Sequence, residues 1–228
     1  MMMKSELNYS SWTPLAVVLL LTITVSMGWS RATTATAPAV DLANEERVIN
    51  RYSEDLAAYE RDVLQLNQRA RLVSADLDPL QRKSDDLKNR LTEVQNTVQS
   101  VARKINAANE WPDLDALLAK NITDPRLRSL LQERSFKTDL DEAANLTSQR
   151  EEISTPLEGL RKKVARHANS ADLQLVNAAY APFARVGLGC RIGIIGLKIT
   201  IAVGKTPSKE QADRVFNRCH PDGTINPF

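Results

Sequence analysis

The sequence predicts a mainly α protein: long coiled-coil helices, arranged as an antiparallel hairpin or bundle, followed by a small carboxyl-terminal α+β domain stapled by a disulfide. Three observations carry this expectation. Apolar residues recur at alternating spacings of four and three from Leu42 to Ile105 and fill 17 of 19 such positions. Glycine enters late, with six of the eight glycines between Gly187 and Gly223. Only two cysteines occur, Cys190 and Cys219, both in that late segment.

A 3.5-residue repeat held for so long describes a helix that buries one stripe against another helix. The stripe includes Leu56, Val63, Leu66, Leu87, Leu91, Val94 and Val98, and only Glu45 and Ser84 interrupt it. Acids and bases alternate on its flanks, a solvated surface worth little per ion pair. Asp41 is placed to cap the opening turn. Asp78-Pro79 then allows two structures, because proline is accommodated in the first turn of a helix that starts at an aspartate. A turn near Ala75–Asp78 would fold two arms of about 36 and 30 residues against each other, each roughly 45–54 Å long. A single kinked helix would instead keep the phase of the repeat, which does continue from Leu77 to Leu80. The matched arm lengths favour the hairpin.

Asn109-Glu110-Trp111-Pro112 ends the second arm, and a short helix is expected around Leu114–Lys120. Asp124-Pro125 and Thr155-Pro156 repeat the cap-plus-proline start. Between them the apolar stripe is poorer, and it resumes with Leu157, Leu160 and Val164.

Past Ala171 the pattern changes to period two. Val186, Leu188, Cys190, Ile192 and Ile194 alternate with small or polar residues; the phase then flips, and Ile195, Leu197, Ile199, Ile201 and Val203 alternate in turn. Such alternation of β-branched residues predicts a hairpin of two strands with a turn or bulge at the flip. A transmembrane helix is the rival, opposed by Arg191 and Lys198 in mid-span and by five glycines. Ser208 should cap a short helix from Lys209 to about Arg218, which would bring Cys219 back to Cys190. A disulfide there closes a loop of about 30 residues and is worth roughly 3–4 kcal/mol on the loop-entropy estimate. A metal site built from Cys190, Cys219, His167 and His220 lacks the paired-ligand spacing of zinc sites.

The amino terminus reads as a targeting segment. Leu15 to Val25 is an uninterrupted stretch without charge, shorter than the roughly twenty apolar residues of a spanning helix and suited to a signal peptide. The rival is an uncleaved anchor over residues 12–29, with Trp12 and Trp29 at the two interfaces. Either way everything after Arg31 is exported. Four segments result: 1–37, signal or anchor; 38–110, coiled-coil helices; 111–170, further helices; 171–228, the stapled domain.

A net charge of +2, from 30 basic and 28 acidic residues, predicts no nucleic-acid partner. No G-x-S-x-G, H-E-x-x-H or phosphate-binding glycine loop occurs, so neither catalysis nor a cofactor, metal or small-molecule substrate is expected. Arg161, Lys162, Lys163 and Arg166 form one dense basic cluster. It suits a helix carboxyl end, or contact with an anionic surface such as lipid heads or a cell-wall polymer. The expectation is an exported, non-enzymatic coiled-coil protein of the cell envelope, periplasmic or secreted. It would act as scaffold, spacer or partner-binding module, binding a protein or a second copy through its helices. An adaptor of a cell-wall enzyme or export machine is the second reading, and a small secreted hydrolase the third.

Overall fold

A computed structural model describes residues 40–69, 71–109, 111–165 and 187–219. The signal or anchor reading, Arg166, both histidines and the stretch joining the third segment to the fourth lie outside the described residues. All that follows concerns the unit Ala37–Phe228.

That unit is mainly helical. Helix α1 is Ala43–Asn67, a 3-10 turn covers Ser74–Leu77, and α2 is Asp78–Ala108. Then come α3 (Leu114–Asn121), α4 (Pro125–Gln132), α5 (Phe136–Glu142), a 3-10 segment (Ala143–Ile153) and α6 (Thr155–Ala165). Helices α7 (Leu188–Ala202) and α8 (Lys209–Arg218) are the last among the described residues. The starts follow local chemistry. Asp113, Asp124, Ser135 and Ser208 each accept a hydrogen bond from an amide of the turn they precede. Pro79 and Pro125 sit in first turns, where no amide hydrogen is needed. The second arm ends at Asn109, whose φ of 51° is the left-handed conformation that asparagine tolerates.

Helices α1 and α2 form an antiparallel pair. Tyr52 Oη donates to the carbonyl of Leu87 (3.0 Å), Arg90 pairs with Asp55 (2.8 Å), and Lys104 pairs with Glu45 (2.7 Å). A continuous kinked helix is therefore not what forms. Between the arms the repeat is interrupted at Val73, which stands 49% exposed after α1 has stopped at Asn67, and burial resumes at Leu77. Elsewhere the stripe is buried, and even Glu45 and Ser84 are inside. Its covering is not one partner helix but several: α1 also packs on α6 and α7, and α2 on α5 and the 3-10 segment. This is a bundle within one chain, and the segment 125–154, where the apolar stripe is poorer, divides into α4, α5 and a 3-10 run kinked at Asn145.

The expected β-hairpin is corrected: residues 188–202 are the helix α7, and no strand occurs among the described residues. The reason is burial on both sides. Leu188, Ile192, Ile195 and Ile199 enter the core built by α1, α2 and the middle helices, whereas Cys190, Leu197 and Ile201 enter a second core with α3, α4 and α8. Two helical stripes on opposite faces leave few positions for polar residues, and what remains mimics strand alternation. The glycines, each costing a helix about 1 kcal/mol, are retained for close approach. A Cβ on Gly193 would lie 2.9 Å from Val215 Cγ2, and one on Gly196 would lie 2.5 Å from Asn50 Oδ1.

Gly196→Ala should therefore destabilise the fold by about 1–3 kcal/mol despite its better helix propensity. Asn50 cannot swing away without losing its 3.0 Å bond to Thr200 Oγ1. Chemical denaturation of Gly196→Ala, Asn50→Ala and the pair checks this: the second change should recover part of the loss caused by the first.

Candidate functional site

The cysteines meet as expected. Cys190, in the first turn of α7, and Cys219, just past α8, are joined in a disulfide with Cα atoms 5.2 Å apart, and both are buried. The bridge lies in the second core beside Leu197, Ile201 and Val215. With both thiols consumed, the alternative in which they ligate a metal does not apply. Among the described residues no group of three or more His, Cys, Asp or Glu side chains could hold a metal ion. Nor is any described helix long and apolar enough to cross a membrane.

Acids of the earlier helices receive the bases of α7, of α8 and of the turn between them. Lys198 is 1% exposed; its ammonium donates to the carbonyl of Arg134 (2.7 Å) and pairs with Asp139. Arg218 is equally hidden, with Nε 3.3 Å from Glu60 Oε2 and Nη1 3.4 Å from the carbonyl of Ser53. Lys205 reaches Glu46 at 2.6 Å, and Arg214 reaches Glu54 at 3.6 Å. Glu152 accepts from the amide of Leu188 at 3.0 Å, filling the place of the side-chain cap that Gly187 cannot supply.

Burial is the dominant influence on two carboxyls of these pairs. It pushes Glu60 and Asp139 above the ordinary carboxylate range, against the opposing pull of Arg218 and Lys198. Glu45, the charged interruption of the stripe, goes the other way. Burial raises it, but hydrogen bonds from Lys104, its own backbone and Ser100 outweigh that and hold it below the ordinary range. These contacts fix helices to one another.

The basic cluster is taken apart by the fold. Lys163 is 1% exposed and donates to the carbonyls of Asn67 and Arg69 (3.3 Å to the latter). It serves the carboxyl end of α1, whose last turn has no basic residue of its own. The expected contact of Lys163 with an anionic surface is thus corrected: the ammonium points inward. Arg161 is exposed but pairs with Glu158 and donates to Gln81. Lys162 is exposed.

Asp139 and Glu152 carry no signal in the sequence, and Glu60, one of the alternating charges expected to form a solvated flank, is buried instead. A signal existed in α7. A lone lysine inside a run as apolar as residues 186–203 has to find an anionic partner if that run is buried. Nothing local identifies which of the chain's 28 acids it is.

Compared with protein families, characterised proteins and solved structures, the chain matches none.

Proposed function

We propose that the chain is an exported, non-enzymatic helical protein of the cell envelope that works as a scaffold, spacer or partner-binding module. The buried Cys190–Cys219 disulfide carries this reading. Such bonds persist in oxidising compartments and are rare where glutathione and thioredoxin keep thiols reduced. The amino-terminal apolar segment agrees with export. The scaffold part rests on the helical pair α1–α2, a rod of about 40–45 Å whose outer surface carries mixed charge and is available to a protein partner.

The test combines location with redox state. The full-length chain, carrying an epitope tag at its carboxyl end, is expressed in a bacterium, fractionated, and treated with a maleimide polymer that adds mass to free thiols. Recovery in the envelope or medium with no thiol labelled until reductant is added is the expected result. Crosslinking there should capture a defined protein partner or a second copy. Recovery in the cytosol with both cysteines labelled would overturn the reading. Export without any reproducible crosslinked partner would leave only its compartment standing and remove the scaffold role.

A further inference from the structure

The geometry points to a binding site for a small carboxylate with a short apolar stub, in the cavity between the α4–α5 turn and α7. The cavity is partly enclosed and holds about 60 Å³. A water needs roughly 10–15 Å³ on that measure, so the space suits a ligand of about four to six heavy atoms.

Its walls separate into an apolar part and a charged part. Leu130, Ile194 and Ile195 supply the first. In the second, three cations and three carboxylates converge, and most are already committed. Lys198 pairs with Asp139, and Arg134 pairs with Glu142. Glu133 is engaged as well. Arg191 is different: it lines the cavity half-buried, two turns before Lys198 on the same face of α7, and its guanidinium makes no hydrogen bond or ion pair with any described residue. A half-buried guanidinium whose five donors meet no acceptor among the described residues is open to a ligand, and its planar fork matches a carboxylate through two parallel bonds.

The surrounding acids decide which anion fits. Glu133, Asp139 and Glu142 place carboxylate oxygens on the same cavity, so the lining is formally neutral and offers no excess of positive charge to a dianion. A phosphate or sulfate would gain one guanidinium and meet three carboxylates. A monoanion that turns its two oxygens to Arg191 and its alkyl end to Leu130, Ile194 and Ile195 carries half the charge into that repulsion and covers apolar wall. Two sources present this chemistry: a free short-chain carboxylic acid, or the terminal carboxyl of a peptide ending in a small residue such as alanine. The inference does not depend on the scaffold reading.

The experiment is a titration of the full disulfide-bonded chain followed by amide chemical shifts. The probes are sodium propionate, sodium phosphate, and acetyl-Ala-Ala with a free or an amidated terminus. Saturable shifts confined to α7 and the α4–α5 turn are expected with propionate or with the free-terminus peptide, whichever binds more tightly identifying the source. Arg191→Gln should weaken binding by about 10- to 100-fold, the usual range for a charged hydrogen-bonded pair, and Arg191→Lys should restore only part of it. Because Arg191 is half-exposed, both variants should keep the parent's dispersed spectrum. No saturable shift with either carboxylate, equal affinity in Arg191→Gln, or tighter binding of phosphate would each overturn the proposal.

Discussion

Leu91→Asp should unfold the bundle and not merely dissociate an assembly. Leu91 is 0% exposed and lies in the middle of α2, where the stripe meets α1 and the main core. Truncating such a leucine costs about 2–5 kcal/mol through lost burial and the cavity left behind. Placing a carboxylate in that apolar core adds several more through its desolvation. Against a total stability of about 5–15 kcal/mol for a domain of ordinary size, that sum removes most of the folded population. Circular dichroism should show helix content lost together with cooperative unfolding, and Leu91→Ala should retain both at a lower melting temperature. Leu87→Asp should behave alike. A Leu91→Asp protein that stays helical and only moves to a smaller mass in sedimentation would mean that the stripe joins chains and that the intramolecular packing described here is wrong.

The same residues show what was legible beforehand. Seam residues such as Leu56, Val63, Leu66, Leu87, Leu91, Val94 and Val98 can be read directly, since helical burial imposes its period on the chain whatever lies on the other side. For that reason the period cannot distinguish one partner helix from several, and a bundle passes for a rod. The turn between the arms is written in Asp78-Pro79, a local signal. The disulfide was legible from cysteine count and the helix that Ser208 caps. Helix α7 was not, because its two buried faces cancel the amphipathic signal and leave a period-two residue pattern. Lys163 and Asp139 mark the limit in another way. Each has its partner about 60 or more positions along the chain, and the pairing is set by how helices stack, which no local pattern encodes.

The pair Lys198–Asp139 should behave as a contact that is costly to break yet dispensable when both partners are removed. Asp139→Leu alone removes the paired carboxylate from the ammonium of Lys198, 1% exposed, and leaves the carbonyl of Arg134 as its direct hydrogen-bond acceptor. Losing one member of a buried pair in this way typically costs about 3–5 kcal/mol. Lys198→Met alone leaves a buried carboxylate with Arg134 as its nearest other cation, and should cost a similar amount. The double variant fills the space with apolar side chains and carries no charge to desolvate, so its stability should return to within about 1 kcal/mol of the parent or exceed it. The double-mutant cycle in urea would then give a coupling well beyond the few tenths expected of independent sites. The pH dependence follows with a definite sign. Burial holds the Asp139 carboxyl above its value in the unfolded chain, so the folded state takes up the proton first as pH falls. Its stability relative to the non-titrating double variant should therefore rise, or at least not fall, as pH is lowered from neutral through the folded-state pKa. A carboxyl held low by its partner would give the reverse. Single variants as stable as the parent, or a double variant no better than the worse single one, would show that the charges are solvated and that α7 is not buried between the two cores.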